Sequence, residues 1–167
     1  LESVHPEMAE RCHLWLDTQE AHLMPTTFSN AELDELLQNW QDTSHRTKKA
    51  FLDLKEHLSQ KSGLTFDFVA RPGVSYSLRA KHQHQTQRPL FAMVDIIDDD
   101  PDERWLSVCF FGEMISDPAE LGDFVPEGLL GEDAHCFDIE EFDEDLMAYV
   151  TARLDEAYRH AAEATAG

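Results

Sequence analysis

Five carboxylates crowd the six residues Asp98-Asp99-Asp100-Pro101-Asp102-Glu103. Oxygens this close can bind a hard cation such as calcium or magnesium, with Asp98 and Asp100 as ligands. The familiar calcium loop needs alternate ligands, a central Gly and a late Glu. This run has Pro101 near its turning point and no Gly. It reads otherwise as a solvated turn between two strands, its charges blocking edge pairing. His82 and His84 are the other metal candidate. On a strand, residues two apart point the same way, so both imidazoles could reach one zinc or similar ion. Their neighbours Gln83, Gln85, Thr86 and Gln87 favour a polar hairpin loop instead, and a third ligand would have to come from afar.

The remaining reactive side chains offer less. Cys12, Cys109 and Cys136 form no C-x-x-C pair and are odd in number, so a disulfide framework or structural zinc site is not expected. Cys109 sits in an apolar run and reads as a small hydrophobe. Cys136 follows His135, but adjacent strand residues face opposite ways, which gives little to a Cys–His nucleophile. Ser75, Ser77 and Arg79 alternate along one strand. A shallow pocket near Tyr76 and Arg79 is the ligand-binding candidate, against a plain solvent-facing strand. Phosphate-loop, dinucleotide, nucleophile-elbow and H-E-x-x-H patterns are absent. No catalytic residue is assigned and no cofactor is implied.

These residues must be held by elements the pattern makes visible. A chain of 167 residues suits a single domain, 1–167. It divides into a helical part (1–63), a β-meander and loop (64–140) and a closing helix (141–163). Met8, Cys12, Trp15, Leu16 and Leu23 recur at helical spacing over 5–23. Ser29 and Glu32 have capping-box spacing ahead of Leu33, Leu36, Leu37 and Trp40. Phe51, Leu54 and Leu58 continue the stripe beyond QDTSHRTKK, which is either a break or an exposed turn, and Gly63 stops it. From Thr65 the period falls to two, with a turn at Arg71-Pro72-Gly73. LFAMVDII and WLSVCFF are apolar on both faces and belong in the sheet centre. Asp117-Pro118 reads as a cap opening a short helix. GDFVPEGLLGED reads as loop, and Cys136, Phe137 and Ile139 as a last short strand. Asp143 or Glu141 caps the final helix, and EEFDED suits its positive end. The tail AAEATAG reads as frayed. The fold class is α+β: N-terminal helices, an antiparallel meander of about four or five strands, and a C-terminal helix packed on the sheet.

The strand order SYSLRA, RPLFAMVDI, RWLSVCFF followed by CFDIEEFDEDLMAYVTARLDEAY resembles the layout of small uncharacterised bacterial domains of the YdhG-like (DUF1801) and DUF5655-like kind. The resemblance covers about residues 45–160 and rests on layout, without a diagnostic motif. It implies the α+β arrangement and carries over no catalytic residue. The long N-terminal helices and the acidic second half depart from it.

Charge narrows function more than motif does. Residues 1–90 carry 12 acidic and 10 basic side chains, whereas residues 91–167 carry 22 and 3. Such a field repels polyanions and attracts basic surfaces. Nucleic-acid binding is therefore disfavoured; the only basic cluster is His45, Arg46, Lys48, Lys49 and Lys55. Asp98, Asp99, Asp100, Asp102 and Glu103 are the candidate interaction residues. They would meet a basic protein surface, or another copy of this chain. Acidity for solubility alone is the plainer alternative. No apolar run reaches the roughly 20 residues of a membrane span. LESVHPEMAERCHLWL lacks the pattern of a secretion signal, and with the odd thiol count this points to a cytoplasmic setting. The reading is a non-catalytic interaction module. The alternative is a metal-dependent or small-molecule enzyme using His82, His84 and His135 or the Asp98–Glu103 carboxylates.

Overall fold

A computed structural model describes residues 28–164. The helix expected over 5–23, Cys12 with it, and the last three residues of the tail lie outside them. Two helices come first, α1 (Ala31–Asn39) and α2 (Thr47–Ser59). Six strands follow: β1 (Leu64–Arg71), β2 (Ser75–His82), β3 (Ala92–Ile97), β4 (Trp105–Phe111), β5 (Asp123–Leu129) and β6 (Glu132–Ile139). Helix α3 (Glu144–Ala162) closes the described chain.

The α+β class holds, with six strands rather than four or five. All pairings are antiparallel, in the order β1-β2-β3-β4-β6-β5. The first four strands form the expected meander, and the two double-sided apolar runs, β3 and β4, take its centre. The chain then passes outward to edge strand β5 and returns as β6 beside β4. The segment GDFVPEGLLGED is therefore largely strand and hairpin. It escapes the alternation test because β5 is exposed from Asp123 to Gly128. The hairpin turns at Leu130 and Gly131, both left-handed (φ 51° and 84°), which suits a two-residue hairpin of the tighter kind.

Helix starts follow side-chain oxygen. Asn30, not Ser29, caps α1, its Oδ1 accepting from Leu33 N at 3.0 Å. QDTSHRTKK is a break. Arg46 precedes α2 with a left-handed φ of 53° and no cap of its own. Asp42 supplies one from outside, accepting from Lys48 N and Lys49 N at 3.1 Å each. Asp143 caps α3 through Leu146 N at 2.8 Å.

The three helices cover one face of the sheet. Leu78, Ala80, Val94, Ile96, Leu106, Val108, Phe110, Phe137 and Ile139 point toward them and are buried with Phe51, Leu54, Val150 and Leu154. Each such side chain contributes roughly 1.5–3 kcal/mol. The opposite face carries residues of the other parity: Ser77, Arg79, Met93, Asp95, Ile97, Trp105, Ser107 and Asp138, with the pair Cys109 and Cys136. Those two cysteines face each other across β4 and β6 and are joined in a disulfide. This corrects the expectation of unpaired thiols. Twenty-seven residues separate them, so only strand register, invisible in cysteine spacing, brings them together.

Candidate interaction surface

Asp98 does not behave like the rest of its run. Period two places it on the covered side after Val94 and Ile96, and its side chain is 4% exposed. One oxygen accepts from Arg104 Nε at 2.7 Å, the other from Gly73 N at 2.8 Å. Arg104 also spreads over Trp40, 5.7 Å from the ring, and its carbonyl accepts from Thr47 Oγ1 at 2.7 Å. Asp98 is thus a clamp between the β1–β2 turn, the β3–β4 turn and the helices. Asp99, Asp100, Asp102 and Glu103 are exposed, as a solvated turn requires. Asp100 Oδ1 accepts from Asp102 N at 3.0 Å and fixes the turn.

Ladder register carries a second acidic segment to the same place. Leu106 lies opposite Ile139, so the chain leaving β6 runs beside the chain entering β4. Glu103, Arg104, Trp105 and Glu140 line one groove of about 270 Å³ with Thr43 and His45. Phe142 N donates to His45 O at 2.8 Å, which seats the start of α3 there. Glu140, Glu141, Asp143, Glu144 and Asp145 are all exposed. None of these five, nor Asp99, Asp100, Asp102 or Glu103, has an ion-pair partner among the described residues. The nearby cations are otherwise engaged. Arg46 and Lys49 lie over the Phe142 ring at 4.7 and 4.4 Å, and Lys48 Nζ donates to the carbonyls of Leu37 and Trp40 at 2.8 Å. Arg46, Lys48 and Lys49 of the basic cluster thus also make contacts within the fold, while His45, Arg46 and Lys49 stay exposed as expected.

Not all the acidity gathers here. At the other end of the sheet Glu113, Glu127, Glu132 and Asp133 line a groove of about 480 Å³ with Arg88, Phe124 and His135. Arg88 bridges Glu113 and Glu132 at 3.1 Å each, over the Phe111 ring at 4.7 Å.

The metal candidates do not converge. His82 is buried at the end of β2, and its Nδ1 accepts from His84 N at 3.0 Å. Burial, with His84 beside it, lowers the His82 pKa. His84 Nδ1 meets Ala162 O at 2.9 Å. Among the described residues no three His, Cys, Asp or Glu side chains are placed to hold one ion. Asp98 spends both oxygens on protein donors, and Asp100 points into its own turn.

Tyr76 and Arg79 are not brought together. Tyr76 is on the covered side, stacked on Phe68 at 6.1 Å between ring centroids, in a groove of about 280 Å³ with Glu32, Glu35 and Arg104. Arg79 is on the opposite face with Ser75 and Ser77, as alternation requires. There Ser77 donates to Asp95, whose carboxyl burial pushes up in pKa. Arg71 donates to Ser75 Oγ at 3.0 Å. Arg79 Nε is buried without a hydrogen-bond partner among the described residues.

One cluster went unread in the sequence. Asp117 does not start a helix; it organises the loop before β5. Its oxygens accept from Tyr149 Oη, from Leu121 N at 3.1 Å, from Gly122 N at 2.9 Å and from His135 Nε2 at 2.7 Å. The Asp-Pro signal marked the right chemistry, a carboxylate receiving backbone N–H groups, in a loop instead of a helix. Gly122 is required by close approach. A Cβ there would lie 2.7 Å from His135 Cδ2 and 2.8 Å from a Phe137 ring carbon. Gly122→Ala should destabilise the protein by about 1–3 kcal/mol through overpacking, read as a lower urea midpoint at unchanged m. A midpoint equal to that of the parent would mean the loop relaxes freely.

Comparison with family models, with curated proteins and with solved structures finds no match to this chain. Among the described residues, no helix is long and apolar enough to cross a membrane.

Proposed function

We propose that this chain is a non-catalytic interaction module whose acidic end docks a basic protein surface. The observation that carries it is the meeting of residues 99–103 and 140–145 at one end of the sheet. Nine exposed carboxylates there lack ion-pair partners among the described residues. Asp99 and Asp100 bond within their own turn and Asp143 caps α3; no such use of the other six is made among the described residues. A carboxylate field of this kind accelerates encounter with a basic partner and rejects nucleic acid. The enzyme alternative has less behind it, because His82 and His84, adjacent at the end of β2, gain no third ligand among the described residues, and His135 lies elsewhere against Asp117. The Cys109–Cys136 bond favours an oxidising setting, which removes the premise of a cytoplasmic one.

A labelled oligolysine peptide tests the reading. Replacing Asp99, Asp100 and Asp102 by Asn and Glu103 by Gln should weaken its binding about tenfold at low salt, and raised salt should abolish the difference. Asp98 stays untouched, so the fold is unaffected. Glu127→Gln with Asp133→Asn, at the opposite end, is the control. The control removes two charges against four, so a loss half as large on the logarithmic scale in it would make the attraction a property of net charge and defeat the proposal.

A further inference from the structure

Helix α1 sets Glu32, Glu35, Leu36 and Asn39 on one stripe, because residues three and four apart share a helix face. These four line a groove of about 280 Å³ together with Ala70, Pro72 and Tyr76 of the β1–β2 hairpin, and Arg104 completes the lining. Ligand sites run from roughly 300 Å³ upward, so this one suits a small metabolite. Only 10% of the Arg104 side chain is exposed, and Asp98 and the Trp40 ring hold it in place. Asp98 takes Nε alone. The two Nη atoms make no hydrogen bond among the described residues, and neither is sealed from solvent. The Tyr76 hydroxyl and the Asn39 side-chain amide make none either. Glu32 and Glu35 lie beyond ion-pair distance of Arg104 and have no other such partner among the described residues. Burial and the Asp98 charge raise the Tyr76 pKa, so its hydroxyl stays a neutral donor. The charges of Arg104, Glu35 and Glu32 reach that hydroxyl as well.

We propose that this groove binds a free α-amino acid, its carboxylate on the Arg104 Nη atoms and its ammonium between Glu32 and Glu35. Both signs of charge surround one hydroxyl, with a gap between them that a ligand carrying both signs can span. A simple anion is opposed by the field of a chain with net charge −21, and a simple cation meets Arg104. A zwitterion answers both. The Nη fork matches a carboxylate in shape as well as charge. Asp98 does not exhaust it, for this chain already uses one guanidinium on two carboxylates where Arg88 bridges Glu113 and Glu132. The Tyr76 hydroxyl adds a second donor to the carboxylate, and the Asn39 amide can donate or accept. Ala70, Pro72 and the Tyr76 ring, itself stacked on Phe68, offer the ligand side chain an apolar bed. Arg104 is fixed before the ligand arrives, so binding costs little further ordering there. The groove shares Arg104 with the groove at the acidic end but uses none of the nine carboxylates gathered there, so either proposal can fail alone.

Amide NMR spectra of the full chain, titrated with each common L-amino acid in turn, test it. At least one should move the signals of Glu35, Asn39, Ala70, Gly73 and Tyr76 together, saturating with a dissociation constant of roughly 0.1–1 mM for so small a ligand in an open groove. The amide of that amino acid lacks the carboxylate, and its N-acetyl derivative lacks the ammonium. Each should bind at least about tenfold more weakly. The amide probes Arg104 without replacing it, because its loss would break the clamp with Asp98. Glu32→Gln with Glu35→Gln, both exposed on α1, should weaken binding about tenfold and leave the unfolding temperature nearly unchanged. Asp99→Asn with Asp100→Asn removes the same charge from the acidic turn and should leave the affinity within about twofold. No amino acid moving these signals overturns the proposal, as does an affinity indifferent to Glu32 and Glu35 or lowered equally by the two double variants. An N-acetyl derivative that binds as well as the free amino acid overturns it too. So does an equally tight amide, which would make the amino terminus of a peptide the occupant.

Discussion

Asp98→Ala should lower stability by about 3 kcal/mol and the unfolding temperature by roughly 10 °C. Asp99→Ala and Asp100→Ala, its neighbours in the same acidic run, should each stay within about 0.5 kcal/mol of the parent. The contrast follows from burial. Asp98 is 4% exposed in its side chain and Arg104 10%, so removing the carboxylate leaves a guanidinium in a nearly dry site. Gly73 N loses its acceptor as well. Breaking one side of a buried pair costs more than the pair contributes, because the surviving charge is left uncompensated. The double variant Asp98→Leu with Arg104→Met should therefore recover part of the loss. Chemical denaturation of the four variants decides it. If Asp98→Ala matched Asp99→Ala, the turn would be uniformly solvated and the clamp would have no role.

The same residue marks where reading the sequence succeeds and where it stops. Alternation reaches β1 and β2, and continuous apolar runs reach β3 and β4, because each of the four strands buries a row of side chains against the helices and the central two also half-bury the other row. It was legible even at Asp98, two positions past Ile96, but a run of five carboxylates hides its one inward member. Strand β5 offered no such rhythm. It lies on an edge with both faces wet, and Pro126 and Gly128 weaken the signal further. The disulfide and the Asp117 cluster depend on register across 27 and 32 residues, which no local pattern encodes. The acidic asymmetry was plain in the composition. That its two main runs share one end of the sheet depends on Leu106 lying opposite Ile139, a fact of topology. Part of the charge went elsewhere for the same reason, to the groove around Arg88.

Asp117→Asn should cost about 2–3 kcal/mol at neutral pH, and the cost should shrink as the solution is acidified. Burial pushes this carboxyl up, but the donors Tyr149, Gly122 N, His135 and Leu121 N outweigh it and hold its pKa well below the usual range. An asparagine keeps one acceptor oxygen and turns an NH2 group toward donors, so about half of these bonds are lost. The pH dependence has a definite sign. A carboxyl with a folded pKa below its unfolded value stabilises fully above the unfolded value, near 3.9, and loses that stabilisation as pH falls toward the folded one. The gap between parent and Asp117→Asn should thus be constant above about pH 5 and narrow below about pH 4. Comparing the two at each pH cancels the titrating groups that make no contact with Asp117. Asp155, held low against its burial by Lys61 and His57, steepens acid unfolding of both proteins alike, and Asp95, raised by burial, opposes it in both. Urea midpoints from pH 7 down to about pH 3 supply the measurement. A gap independent of pH would mean that shape rather than charge at Asp117 holds the loop, and that His135 and Tyr149 gather around it for packing alone.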